Sequence, residues 1–320
     1  MLMVSFKTLL KKIEEAPIIT IWGHAIPDGD CYGCQIGLRE IIKDNFPGKQ
    51  VYALGTGVPS LRERISPMDE ADDASIASSL AILVDVSCLR RVEDQRVWNA
   101  KSFAKFDHHS PNKEGEEFPY EDAYVEPDVI ACAQIIEEFA TQNSLKISKI
   151  AAEALYTGIL TDSGCFRYFG TNQRTFASVK RLVSCGIEPI SIRNIVYYED
   201  DKTKAFKAYL QSKVRKLSGV TYVYITPEEY RRFGLTYEEA GSMVNAIEAV
   251  QSPSIFALFT EREDGEVRGE LRSNRGFPVQ PTATRFRGGG HLFAAGTTTY
   301  GEEESMEVVK ALTLVTPISL

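Results

Sequence analysis

The sequence predicts an α/β protein of two domains, an N-terminal domain on a parallel sheet and a smaller C-terminal α/β domain on a mixed sheet. Three observations carry this expectation. Strand-like and helix-like segments alternate through the first half, which is the βαβ pattern of a parallel sheet covered on both sides. Leu80 to Val86 (LAILVDV) is a nearly continuous apolar run, as a strand buried on both faces requires. The last third carries Asp264-Gly265 between two strand-like runs, a strong hairpin signal.

The elements follow in order. Met1 to Glu15 is amphipathic through Phe6, Leu9, Leu10 and Ile13, and Ile18 to Trp22 is a short β-rich run. Gln35 to Lys43 has helical spacing, with apolar residues at 36, 38, 41 and 42. Val51 to Leu54, Leu80 to Val86 and Ser102 to Phe106 read as further strands, and helices dominate from Val129 to about Leu217. Val220 to Ile225 alternates like a strand, and Tyr237 to Val250 has helical spacing. Ser254 to Glu263 and Glu266 to Arg272 form the hairpin arms. A short helix over Gln280 to Arg285, a strand over Ala294 to Tyr300 and a helix over Glu302 to Leu314 complete the chain. The expected division is a catalytic domain over 1–190, a charged helical linker over 191–204 and a substrate-binding domain over 205–320.

Length and composition bound the function. The 320 residues suit two domains, and 43% hydrophobic with 25% charged residues is ordinary for a folded protein. No apolar run approaches the roughly 20 residues that span a bilayer, and the N-terminus lacks the apolar core of a signal peptide. A cytoplasmic location with no membrane contact is the expectation. The net charge of −8 disfavours a grip on long duplex nucleic acid, which calls for a basic surface. It leaves room for short single-stranded RNA or nucleotides, and a homodimer stays open. The six cysteines at 31, 34, 88, 132, 165 and 185 do not form a disulfide framework. Cys31 and Cys34 make a lone CxxC with no second pair to complete a zinc site.

The chemistry concentrates on rare residues. His24, His108 and His109 sit beside aspartates at the ends of expected strands, where ligands collect in open α/β sheets. In His24-Ala-Ile-Pro-Asp28-Gly-Asp30, Pro27 and Gly29 keep a loop open, so that three side chains can converge; a polar turn with a capping Asp is the plainer reading. Asp85 ends the apolar strand, where an unpaired charge would be costly, or else it caps the next helix. Phe106-Asp107-His108-His109 follows another strand, and alternation lets Asp107 and His109 support while His108 projects, or lets both histidines be presented. Asp162 stands at a helix C-terminus, unfavourable for an anion unless a cation compensates. His24, Asp28, Asp30, Asp85, His108 and Asp162 together exceed one metal site and suit two adjacent divalent ions that share a carboxylate; oxygen and imidazole ligands favour manganese. In the last third, Gly288-Gly289-Gly290-His291 lets backbone N–H groups approach a phosphate, and Arg272 with Ser273 adds polar contacts.

These motifs resemble those of the DHH phosphoesterase family. The matching stretches are GHAIPDGDCYGCQIGL, LVDVS at Asp85, FDHHS at Asp107 to His109, TGILTDSGCFRY at Asp162, and GELRSN with GGGHLFAAG in the DHH-associated domain. The resemblance implies one metal held by His24, Asp28 and Asp85 and a second held by Asp30, Asp85, His108 and Asp162. It implies that His109 lies near the reacting phosphate, that Asp107 orients a neighbour, and that Arg272, Ser273, Gly289, Gly290 and His291 hold the nucleotide. It points to the compact nano-RNase type, hydrolases of short oligoribonucleotides and of 3′-phosphoadenosine 5′-phosphate (pAp). The alternatives are a phosphodiesterase of cyclic di-AMP or its linear product pApA, and a non-catalytic nucleotide sensor. Two residues depart from the pattern: Cys34 stands where Ser is common, and Arg287 where a fourth glycine is common, leaving room for an added phosphate contact.

Overall fold

The computed structural model describes residues 4–109, 122–248, 254–274 and 276–318. The chain divides into two compact units, Met1–Tyr198 and Glu199–Leu320. The boundary falls inside the expected 191–204 helical linker, and that stretch is helical on both sides of it. Its first part belongs to the Pro189–Val196 helix, whose Ile192 is buried in the first unit's core, and its last part opens the Asp201–Ser212 helix of the second unit.

The first unit is a parallel sheet of five strands in the order β2-β1-β3-β4-β5, with β1 Ile18–Trp22, β2 Gln50–Leu54, β3 Leu80–Val84, β4 Ser102–Asp107 and β5 Ala123–Val125. Every residue of β3 is buried. Leu80, Ile82 and Val84 join the core under the long helices, while Ala81 and Leu83 join the core on the opposite face, so the apolar run is explained by burial on both sides. Strand β5 was not expected; three residues paired only to β4 leave too short a pattern to recognise.

The helix expected over Gln35 to Lys43 is longer and runs Gly29–Asn45. Its first turns carry no amphipathic period because Gly29 to Arg39 is buried all round. Asp28 caps it, its Oδ1 accepting from the N–H groups of Asp30 and Cys31, each at 3.0 Å. This helix crosses the Lys149–Asp162 helix at close range through Gly29, Gly33 and Gly37, spaced four apart on one face. A methyl group at Gly33 would lie 2.3 Å from the Ala154 carbonyl oxygen, and one at Gly29 would lie 2.4 Å from Thr161. The close approach brings the start of one helix, with Asp30, toward the end of the other, with Asp162.

The second unit is a mixed six-stranded sheet in the order β10-β11-β9-β8-β7-β6. Its strands are β6 Arg215–Leu217, β7 Val220–Ile225, β8 Ile255–Glu261, β9 Glu266–Ser273, β10 Gly289–His291 and β11 Ala294–Tyr300. Only β7 and β8 pair in parallel. The hairpin at Asp264-Gly265 forms, with Gly265 at φ 82° and its N–H donated to the Arg262 carbonyl. The Gln280–Arg285 helix is as expected, and a helix over Gly301–Leu312 closes the fold.

Two expectations need correction here. Arg215–Leu217 is a strand and not the end of a helical region, because it pairs with β7 across the Ser218-Gly219 turn. The expected helix over Tyr237 to Val250 breaks into Tyr237–Gly241 and a 3₁₀ turn at Val244–Ala246, and Val250 lies outside the described residues. Within the glycine run, Gly289–His291 forms an edge strand on β11.

Candidate metal centre

The carboxyl ends of β1, β3 and β4 face one region, and each delivers a motif. Just past β1, His24 bridges to Val92, and the Ala25 N–H donates to the Arg91 carbonyl at 2.7 Å, which fixes the loop. Asp85 follows β3 directly. Its N–H still bonds the Phe106 carbonyl, but its φ of 53° turns the chain out of the sheet. Asp is among the few residues that tolerate this left-handed conformation. The capping role considered for Asp85 is absent: the next turn, Leu89–Arg91, follows Cys88. Ile26 also has a positive φ, 58°, and is 78% exposed; a β-branched residue in this conformation beside the site is strained.

The side chains converge. The Nε2 of His24 lies 3.6 Å from Asp85 Oδ2 and 3.9 Å from Asp28 Oδ1. The Nε2 of His108 lies 3.2 Å from Asp85 Oδ1, 3.5 Å from Asp162 Oδ2 and 3.9 Å from Asp30 Oδ2. The two oxygens of Asp85 therefore address two different sets, His24 with Asp28 and His108 with Asp30 and Asp162. Within each of the sets His24–Asp28–Asp85 and Asp30–Asp85–His108, ligand atoms lie within 4.8 Å of one another.

The donor chemistry fits metal ions. Each imidazole donates through Nδ1 to a backbone carbonyl, His24 to Ala25 at 2.9 Å and His108 to Val129 at 3.1 Å, which turns Nε2 toward the carboxylates. Buried Asp85 Oδ1 accepts no hydrogen bond among the described residues. Asp30 accepts from the N–H groups of Cys132 (2.6 Å) and Ala133 (2.9 Å), at the N-terminus of the Cys132–Gln142 helix, so its position is set by a helix end.

The electrostatics point the same way. Burial, then the charge of Asp85, pushes the Asp30 carboxyl up to about 7. Burial and the neighbouring Asp30 and Asp28 push Asp162 well above its usual range. Burial opposes ionisation of Asp85, yet the facing imidazoles of His108 and His24 hold it below the usual carboxylate range. Burial would lower both imidazoles, but Asp85 outweighs it; with Cys31 it pushes His24 up to about 12, and with Asp162 and Asp30 it raises His108 strongly. This set gathers protons to balance its own charge. Divalent cations would supply that charge instead and leave the imidazoles neutral.

Asp107 and His109 adjoin this set, with His109 Nδ1 3.6 Å from Asp85 Oδ1 and ligand atoms of Asp85, Asp107 and His109 within 4.8 Å of one another. Asp107 is 1% exposed, and its Oδ1 accepts from His109 Nδ1 at 2.7 Å and from the His109 N–H at 3.1 Å. Of the two arrangements left open for Asp107-His108-His109, the structure has His108 among the carboxylates and Asp107 holding His109. Neither Cys31 nor Cys34 belongs to a candidate ligand group among the described residues; both are free and buried, and burial pushes Cys31 up to about 12 and Cys34 well above its ordinary value. Cys34 donates to Asp30 Oδ1 at 3.5 Å, a contact that serine can replace. Cys31→Ser with Cys34→Ser should therefore keep full metal content by elemental analysis and a near-normal rate; loss of metal would show that the thiols coordinate.

The second unit holds the other expected residues. Ala294 pairs across β11 with Arg272 of β9 on one side and His291 of β10 on the other, so Arg272 and His291 share one register line. Arg272 donates to the Leu271 carbonyl at 2.9 Å and pairs with Glu270 at 3.1 Å. Ser273 Oγ accepts from the Phe277 N–H at 3.1 Å. Gly289, Gly290 and His291 are exposed. The glycines differ in what demands them. A methyl at Gly288 would lie 1.8 Å from the Gly296 carbonyl oxygen, Gly290 has φ 130°, and Gly289 alone faces open space. The Arg287 guanidinium, half-exposed, bonds Glu304 at 2.6 Å and the Thr298 carbonyl at 3.1 Å, over the Tyr300 ring.

The family model described as "DHH family, N-terminal domain" matches residues 18–159, and the "DHHA1 domain" model matches residues 218–315. The chain is 33% identical over 312 residues to the probable bifunctional oligoribonuclease and PAP phosphatase NrnA of Streptococcus mutans, covering 97% of this chain and 98% of that protein. The chain belongs to the DHH phosphoesterase family. The family resemblance carried by the motifs therefore holds over both units. This DHH protein is also 28% identical to the bifunctional oligoribonuclease and PAP phosphatase NrnA of Bacillus subtilis, over 95% of this chain and 96% of that one. A crystal structure of an exopolyphosphatase-related protein from Bacteroides fragilis shares the fold, with a TM-score of 0.84 at 23% identity and coverage of 96% and 95%. No helix among the described residues is long and apolar enough to cross a membrane.

Proposed function

We propose that this DHH phosphoesterase hydrolyses short oligoribonucleotides and pAp with the help of two divalent cations, most suitably Mn²⁺. The observation that carries the reading is Asp85, whose two carboxylate oxygens face two separate histidine–carboxylate sets. His24, Asp28 and Asp85 would hold one cation, and Asp30, Asp85, His108 and Asp162 the other. When bound, such a pair lowers the pKa of water and offsets negative charge on a phosphoryl group. Oxygen and imidazole donors without thiolate suit Mn²⁺. His109, held by Asp107, presents its Nε2 to the reacting phosphate.

Arg272, Ser273, Gly289, Gly290 and His291 bind the nucleotide. Open space beside Gly289 lets its backbone reach a phosphate, and Arg272 supplies the nearby positive charge. The two NrnA relatives, matched over nearly their whole length, support oligoribonucleotides and pAp as substrates. Six free cysteines suit a reducing, cytoplasmic setting.

Substrate length tests this reading. With a net charge of −8 the chain offers little basic surface to track a long strand, so oligoribonucleotides of about two to five residues should be cut faster than strands of about thirty. Arg272→Ala and His291→Ala should impair turnover of the short substrates while metal content stays intact. The loss should fall on KM if these residues bind ground and transition states alike, and on kcat if they align the phosphate. Equal kcat/KM on the long strand, or unaltered kinetics in both variants, would contradict the assignment; preference for cyclic di-AMP would favour the rival phosphodiesterase activity.

A further inference from the structure

Lys105 is an unusual residue for its position. It lies on the central part of a parallel sheet, two residues before Asp107 on β4, and only 4% of its surface is exposed. Residues two apart on a strand share a face, so Lys105 and Asp107 point the same way. The Lys105 ammonium lies 2.7 Å from Asp107 Oδ2 and also donates to the Ser87 carbonyl at 3.1 Å. Asp107 is 1% exposed, and its other oxygen accepts from His109 Nδ1 at 2.7 Å. The chain Lys105–Asp107–His109 is thus continuous and almost wholly out of water. Its Ser87 branch reaches the loop that starts at Asp85.

We propose that Lys105 is a positioning residue for the phosphoesterase reaction: it pins Asp107, which fixes the orientation of the His109 ring with Nδ1 as donor. The physical case rests on what each oxygen of Asp107 needs. A buried carboxylate demands a counter-charge, and a carboxylate that faces Lys105 with one oxygen has a single orientation left for the other. That orientation is the one that bonds His109 Nδ1. A second carbonyl contact, at Ser87, ties the end of β4 to the loop after β3, so the same ammonium holds two motif-bearing segments in register. An uncharged side chain at 105 would leave Asp107 held through Oδ1 alone, by the N–H and Nδ1 of His109, and so loosen the orientation of the His109 ring.

This inference rests on the proposed function only for its kinetic consequence; the ring orientation is measurable without turnover. In protein loaded with diamagnetic Mg²⁺, the His109 Nδ1 proton bonded to Asp107 should give a low-field imidazole resonance, assigned by its absence in His109→Gln. Lys105→Met should lose that resonance and lower kcat for pAp about tenfold or more, with KM and metal content little changed, the range seen when a partner behind a site residue is removed. Lys105→Arg should restore the resonance and most of kcat. A merely structural lysine would lower thermal stability without this split and without rescue of the resonance. Should Lys105→Met not fold, Lys105→Gln takes its place in the same measurement. An unchanged resonance and kcat in the neutral variant would overturn the role. A wild-type protein with the resonance but no turnover of any phosphate ester would instead overturn the proposed function and leave the positioning of His109 standing.

Discussion

Asp85→Asn is expected to lower turnover by at least about 10²-fold and to weaken both metal sites, the scale set by losing a principal electrostatic element of a site. The substitution is nearly isosteric. Asn tolerates the left-handed backbone as well as Asp does, so the φ of 53° need not change. The Asp85 N–H bond to Phe106 is backbone and survives. What disappears is one negative charge that faces His24 on one side and His108 on the other, at 3.6 and 3.2 Å. Metal-free Asp85→Asn should be less stable than the wild type near neutral pH, because Asp85 is held below the usual carboxylate range by His24 and His108 and the two imidazoles lose the charge that raises them. Calorimetric titration with Mn²⁺ and steady-state kinetics on the same preparation check this. A variant that binds two metals with wild-type affinity and turns over normally would show that Asp85 bridges nothing.

Gly158→Ala is expected to cost about tenfold to a hundredfold in metal affinity and in turnover, as disturbing a ligand's supports does. Gly158 sits where the Lys149–Asp162 helix meets the helix that begins at Gly29. A methyl there would lie 2.5 Å from Asp30 Oδ1 and 2.6 Å from the Ala133 side chain, both far inside contact distance. Neither neighbour can yield easily. Asp30 is held by the N–H groups of Cys132 and Ala133, and Ala133 is wholly buried. The helices must therefore separate or Asp30 must leave its place, and overpacking of this kind costs about 1–3 kcal/mol. In an ordinary helix the same change is favourable, since Ala is the better helix former. A Gly158→Ala protein that is more stable and fully active would show that the helix crossing does not position Asp30.

Much of this was legible in the sequence because the decisive residues are rare and badly placed for any other purpose. Asp85 after five consecutive buried residues, and His108 and His109 after another buried strand, are hard to explain without a ligand. The family motifs were readable for the same reason. Three features were not readable. The first turns of the Gly29–Asn45 helix are buried on every side, so no polar face marks the period. Gly29, Gly33 and Gly37 stand in plain view at four-residue spacing, but their purpose depends on Ala154, Gly158 and Thr161 of a helix more than a hundred residues later. Nothing in the pattern around Lys105 marks it as buried; its pairing with Asp107 and its bond to the Ser87 carbonyl account for that burial. In the second unit the glycine run looked like a uniform phosphate loop. Packing demands Gly288, backbone conformation demands Gly290, and only Gly289 is left free of both.

The claim on which the rest depends is that two cations act together around Asp85. Metal-stripped enzyme titrated with Mn²⁺, with bound metal and initial rate of pAp hydrolysis followed at each step, tests it directly. The account predicts two Mn²⁺ per chain and a rate that reaches its plateau only as the second is bound. A plateau at one equivalent, or full activity in the stripped protein, would contradict it.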